Sequence, residues 1–356
     1  MNLTKHLPSL LLLLCASFVT TAPAQVTYTG GKGLLRVWDA QPVFPGQLYL
    51  NAFYSGFFTP SGTDANGSRR QLEDHTLNIA MTLGLSRKFE IFGHFVPYQD
   101  DQKHLWGPIG DTRAGIKFMP GRERSVFQFG LLGFAQFATA GALVEDYEPS
   151  VPYEPFSSGK HGWGLLALIN WDLNNAATPH ALKISLNLGF RDHNWHDRYF
   201  TDDKDQLLCS LGIKFPIRTT VVYTELSGDF FINQTEVVPT KYNLMRFTQG
   251  FRFVGPKNLV FDIAGDVRLG STPSLQEQAS TPFIKEYADW KIVLGVTHRM
   301  TLFKYLTADE KLQRMRELEE QAKRETIKEK RQKVIQELEE MRRQLENEKK
   351  PTPRPE

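Results

Sequence analysis

From Leu48 to Leu302 the chain repeats one device: segments of about ten residues, apolar at every second position, joined alternately by tight turns and long polar loops. A strand that crosses a bilayer offers one side chain to lipid and the next to the lumen, so its apolarity has a period of two. A water-soluble sandwich alternates as well, but its connections need not run short, long, short, long. The clearest segments hold Leu77, Ile79, Met81, Leu83 and Leu85; Phe127, Phe129, Leu131, Ala135 and Phe137; Leu182, Ile184, Leu186, Leu188 and Phe190; and Leu207, Cys209, Leu211, Ile213 and Phe215. Trp163 and Trp171 stand at the two ends of another, as in an interfacial belt. The pattern predicts an all-β fold, a transmembrane antiparallel β-barrel of about twelve strands, with ten or fourteen left open. An even count puts both ends on the side of the short turns, which in such barrels is periplasmic.

The start of the chain is consistent with export. Lys5 and His6 precede the run Leu10 to Leu14, and Ala22-Pro23-Ala24 has the form of a cleavage site, so residues 1–24 read as a signal peptide. The apolar run is short of the ~20 residues of a spanning helix, and Leu14 is bulky for the position before an acylated Cys15. No later segment is long and apolar enough for a helical span. Residues 25–47 form an N-terminal periplasmic segment, either a plug or a periplasmic strand, with a flexible Gly30-Gly31-Lys32-Gly33 run. Residues 48–303 are the barrel. The 25 phenylalanines and an aromatic share of 12% suit interfacial girdles. Charge is near balance, so no nucleic-acid partner is indicated. Outer-membrane lipid and lipopolysaccharide are the expected surroundings. Loss of Cys15 with the signal leaves Cys209 alone, so the mature chain has no disulfide.

If the apolar positions meet lipid, the intervening ones line the lumen. They include Glu90, Arg113, Lys117, Lys183, Arg191, Lys214, Arg246, Arg252, Asp262, Asp266 and Arg268, with bases in excess. Either acids and bases pair and fill the interior, or an Arg and Lys ladder lines a narrow aqueous path that favours anions.

Beyond Leu302 the composition changes. Thr307 to Glu310 fits a capping box, and no Gly or Pro follows until about Lys349. Residues 304–350 therefore read as one charged periplasmic α-helix of roughly 60 Å, ended by the Pro-rich tail 351–356. Ile327, Val334, Leu338, Met341 and Leu345 make a heptad seam that would suit a coiled coil, and Met315, Leu318 and Ala322 lie in another frame. The helix is a candidate for self-association or for docking a periplasmic protein.

His193, His196 and Asp197 share a loop, too little to indicate a metal, and no G-x-S-x-G motif is present. No catalytic, metal or cofactor site is predicted. Gly33-Leu34-Leu35-Arg36-Val37 with Pro45-Gly46-Gln47-Leu48 is similar to the start of barrels found in OmpA-family proteins. Gly110 to Phe118 resembles a strand common in those barrels and in outer-membrane transporters of the phenol-degradation MetA type. The resemblance implies a barrel and no particular solute. It stops at the tail, where a charged helix replaces a peptidoglycan-binding domain. The expected function is passive passage of small hydrophilic, preferably anionic, solutes. The alternative is a structural barrel with a filled lumen whose tail docks a partner or self-associates.

Overall fold

In the computed structural model the described residues are 25–63, 69–100, 110–139, 161–193, 205–217, 219–232, 241, 243–271 and 288–303, with five positions in the tail. Twelve antiparallel strands close into one barrel: β1 (Gln47–Thr63), β2 (Arg69–Gly84), β3 (Phe89–Asp100), β4 (Gly110–Phe118), β5 (Phe127–Phe137), β6 (Gly162–Asp172), β7 (Lys183–Asp192), β8 (Asp205–Ile217), β9 (Thr220–Phe231), β10 (Leu244–Val254), β11 (Leu259–Leu269) and β12 (Trp290–Thr301). Each strand pairs with its sequence neighbours, and β1 closes the ring on β12 from Gln47 opposite Thr301 to Gly56 opposite Ile292. Closure gives every strand two neighbours, and the outer part of the β1–β2 hairpin, beyond Gly56 and before His75, is paired on one side alone.

The period of two sorts the side chains as expected. Outward stand Leu50, Met81, Ile116, Phe129, Leu165, Phe215, Ile263 and Leu294, all exposed. So many large apolar groups around a closed sheet would not persist in water, and a barrel with this outside spans a membrane. Trp163 and Trp171 are exposed at the two ends of β6, and Trp171 stacks on Phe127 with ring centroids 5.8 Å apart.

Short connections join β2 to β3, β8 to β9 and β10 to β11, all at one end of the barrel, as an alternation of turns and loops predicts. The Gly255 to Asn258 turn holds Lys257 and Asn258 at φ of 54° and 63°, the left-handed pair that a two-stranded ribbon with right-handed twist needs. One connection differs. Thr59 to Asp74 reads as a polar loop, yet β1 and β2 continue into it and pair as far as Thr63 opposite Arg69. Apolar alternation is required only where strand meets hydrocarbon, so a hairpin that rises beyond the bilayer loses the signal while keeping its ladder.

Residues 304–356 are a separate unit. Of them, Gln332, Gln336, Leu338, Glu340 and Met341 are described, as helical and exposed. The rest of the expected helix, including Ile327, Val334 and Leu345 of its seam, lies outside the described residues, as does the expected signal peptide.

Candidate functional site

The lumen is occupied by the chain itself. Residues 25–46 run inside the ring of strands, bonded to its inner wall, and we call them the plug. They make two short excursions. Val26 bridges to Lys32 across a tip at Tyr28 to Gly31, and Gly33 bridges to Trp38 across a tip at Leu34 to Val37. Gly30 and Gly31 take φ of 87° and 83° at the first tip, a conformation that glycine adopts without penalty. Gln25 and Phe44 both lie at the short-turn end of the barrel, beside Asp172, Asn174 and Pro216.

Buried backbone polar groups need partners, and the wall supplies them. Glu225 on β9 accepts from the amides of Leu35 (2.7 Å), Arg36 (3.0 Å) and Val37 (3.3 Å). Glu90 on β3 accepts from Lys32 N (2.9 Å) and Val43 N (2.6 Å). Asn187 on β7 accepts from Trp38 N and donates to Trp38 O, at 2.7 and 2.8 Å. Arg252 on β10 donates to the carbonyls of Gly33, Val26 and Leu34 at 3.1, 3.2 and 3.3 Å. Two ion pairs add charge: Arg36 to Asp266 (2.8 Å) and Lys183 to Asp39 (2.7 Å). Burial by itself pushes the Asp39 carboxyl up, but Lys183 and then Lys32 outweigh it and hold it below the usual carboxylate range. The Asp39 carboxyl therefore stays ionised at ordinary pH.

The candidate lumen residues fall on the inner side. Glu90 pairs with Lys117 across β3 and β4 at 2.6 Å, and Arg252 with Asp262 across β10 and β11 at 2.6 Å. Arg191 reaches Asp229 at 3.7 Å, and Arg268 meets Asp289 at 2.6 Å near the loop end. Arg113 donates to Gln136 (3.0 Å), and Arg246 to the Ala288 carbonyl (3.3 Å). Lys214 is half-buried and faces inward. Pairing between strands accounts for part of this charge, and the plug meets Lys183 and Asp266 with Asp39 and Arg36. His193 also turns inward and contacts Gln206 at 2.8 Å, while His196 and Asp197 lie outside the described residues.

The sequence reading missed an apolar inner surface. Trp38 and Ala40 pack with Phe92, Leu132, Phe134, Leu166, Leu168 and Leu208. Leu34, Leu35 and Val37 pack with Phe53, Tyr223, Ala264 and Val293. The doublets Leu131-Leu132 and Leu165-Leu166 carry the signal: apolarity at both parities of a strand means that both faces meet something apolar. Gly212 on β8 makes room for the second tip, because a Cβ there would sit 2.7 Å from Leu34 Cδ1. Gly212→Val should cost the docked plug about 1–3 kcal/mol by overpacking. Hydrogen exchange would show it as faster loss of protection at the Leu34 and Asp39 amides, which bond within the plug, with β-strand amides unchanged.

The plug divides the interior. At the short-turn end lies a vestibule of about 570 Å³, lined in part by Lys32, Gln41, Lys183, Lys214 and Arg299. Toward the loop end a cavity of about 70 Å³ is lined in part by Tyr28, Arg113, Arg191, Asp229 and Arg246. Trp38 and its apolar partners stand between the two.

No protein-family model matches the chain, and no curated protein matches its sequence. Among solved structures it is similar to the NanC porin (8% identity, TM-score 0.46, covering 70% of this chain and 100% of that one). It is also similar to the KdgM porin (7%, 0.42, 70% and 98%) and to an outer-membrane channel from Pseudomonas putida F1 (10%, 0.49, 74% and 98%). Likeness at this level says nothing of solute or mechanism.

Proposed function

We propose that the protein is a channel of a bacterial outer membrane for small hydrophilic solutes, anions preferred, closed at rest by its own residues 25–46. No chemistry on substrates is assigned to it. The observation that carries the reading is the manner of plugging. The segment enters and leaves at one end, is held by wall charges such as Glu90, Glu225 and Arg252, and separates two chambers with a basic excess in their linings. Each of those wall groups can exchange its plug contact for water, so an open state is chemically accessible. The loops would face outward and the turns the periplasm.

The filled middle of the lumen also favours a second reading, a structural barrel whose C-terminal unit docks a periplasmic partner or self-associates. Planar-bilayer reconstitution separates the two. The channel reading expects brief conductance steps from the intact protein and, under a KCl gradient, a reversal potential on the anion side. Silence from folded protein, both intact and lacking the plug, would favour the structural barrel.

A further inference from the structure

The vestibule at the short-turn end holds an unusual pair. Lys183 on β7 and Lys214 on β8 stand directly opposite each other in the ladder, both facing inward. Like charges in that position repel and destabilise a sheet. Asp39 meets one of them: Lys183 holds it at 2.7 Å, with Asp172 at 3.8 Å. Asp39 also accepts from Asn170 (2.5 Å) and the Gln41 amide (2.9 Å), so its oxygens are largely taken. Lys214 makes no hydrogen bond and no ion pair with a described residue, and feels Asp39 and Asp172 only at longer range. Lys32 adds a third ammonium, bonded to the neutral Gln41 at 2.9 Å. In all, Lys32, Lys183, Lys214 and Arg299 line the vestibule against Glu123 and Asp172. Arg299 is engaged by the neutral Asn258 at 2.7 Å.

An anion in the cavity beside the two ammonium groups would relieve their repulsion. The cavity has room for a small organic molecule. Gln25, Gln41, Gln47, Tyr49 and Asn174 add neutral polar groups around it.

We infer that the vestibule is a binding site for a small dicarboxylate, with Lys214 and Lys183 as its charge partners and Lys32 at its margin. Lysines fit the role better than arginines would, since an ammonium is a point charge that accommodates carboxylates in several orientations. The inference deepens the channel reading and rests on it for its meaning, because the site would concentrate anions at the periplasmic mouth. Its chemistry can be tested apart from conduction.

The test is calorimetric titration of the folded, full-length mature protein in detergent with succinate, using the neutral analogue succinamide as control. Succinate should bind and succinamide should not. Lys214→Gln should weaken succinate binding by about tenfold or more, the size of one charged contact. Lys214→Arg should largely restore it, and Arg268→Gln at the far end should leave it as in the native protein. Lys214→Gln should also unfold no earlier than the native protein on heating, since it removes a repulsion. A purely structural lysine would give the opposite. Absence of succinate binding to the native protein, or equal binding by Lys214→Gln, overturns the site. Binding without conductance would keep the site and defeat the channel, and conductance without binding would do the reverse.

Discussion

Deleting residues 26–43 should turn a nearly closed barrel into a steadily conducting one. The segment removed carries Trp38, Leu34, Leu35 and Val37, which with their wall partners fill the middle of the lumen. What remains is a wall of twelve paired strands whose ladder does not involve the plug. Glu90 and Asp262 keep their cross-strand partners Lys117 and Arg252. Glu225, Asp266 and Lys183 lose plug partners, but water entering the cleared lumen solvates them at little cost compared with dry burial. Single-channel conductance should rise by about an order of magnitude or more, since the barrier is then a water-filled bore and not a packed core. Circular dichroism and heat-modifiable migration should show the barrel intact. A folded deletion variant that conducts no better than the native protein would place the barrier elsewhere.

The second large effect is expected at Arg252. Its guanidinium pairs with Asp262, donates to three plug carbonyls and lies over the Tyr223 ring at 5.6 Å. Arg252→Ala strands a buried carboxylate and three carbonyls at once, a loss of about 3–5 kcal/mol if the site stays dry. The protein has a cheaper response, which is to release the plug and let water reach Asp262. The loss should therefore appear as open time in bilayers and as hydrogen exchange at the plug amides, with barrel melting little changed. Arg252→Lys keeps the charge but not the fork, and should fall between. If Arg252→Ala melts the whole barrel and leaves the plug amides protected, Arg252 belongs to the wall alone.

The strands were legible because hydrocarbon imposes a simple rule on every crossing. The alternating set Phe127, Phe129, Leu131, Ala135 and Phe137 falls within β5 from end to end. The hairpin beyond Phe58 was not legible, because above the bilayer nothing forces Thr59 to Asp74 to alternate. The inward set was found by subtraction, and Glu90, Arg113 and Arg252 are all buried inside. Their partners were less legible. Nothing local ties Asp39 to Lys183 or Leu35 to Glu225, since both depend on how a short segment threads a closed ring. The apolar half of the inner wall was written in β5 and β6, in runs that do not alternate. It could be understood only once something apolar was known to sit inside.

Gln25 and Phe44 lie at the same mouth, so the inserted stretch behaves as a loop and not as a threaded end. It can withdraw without any part of the chain passing through the ring, and without disturbing the far rim. On the channel reading proposed above, opening would then need only a pull or a competitor at that one mouth.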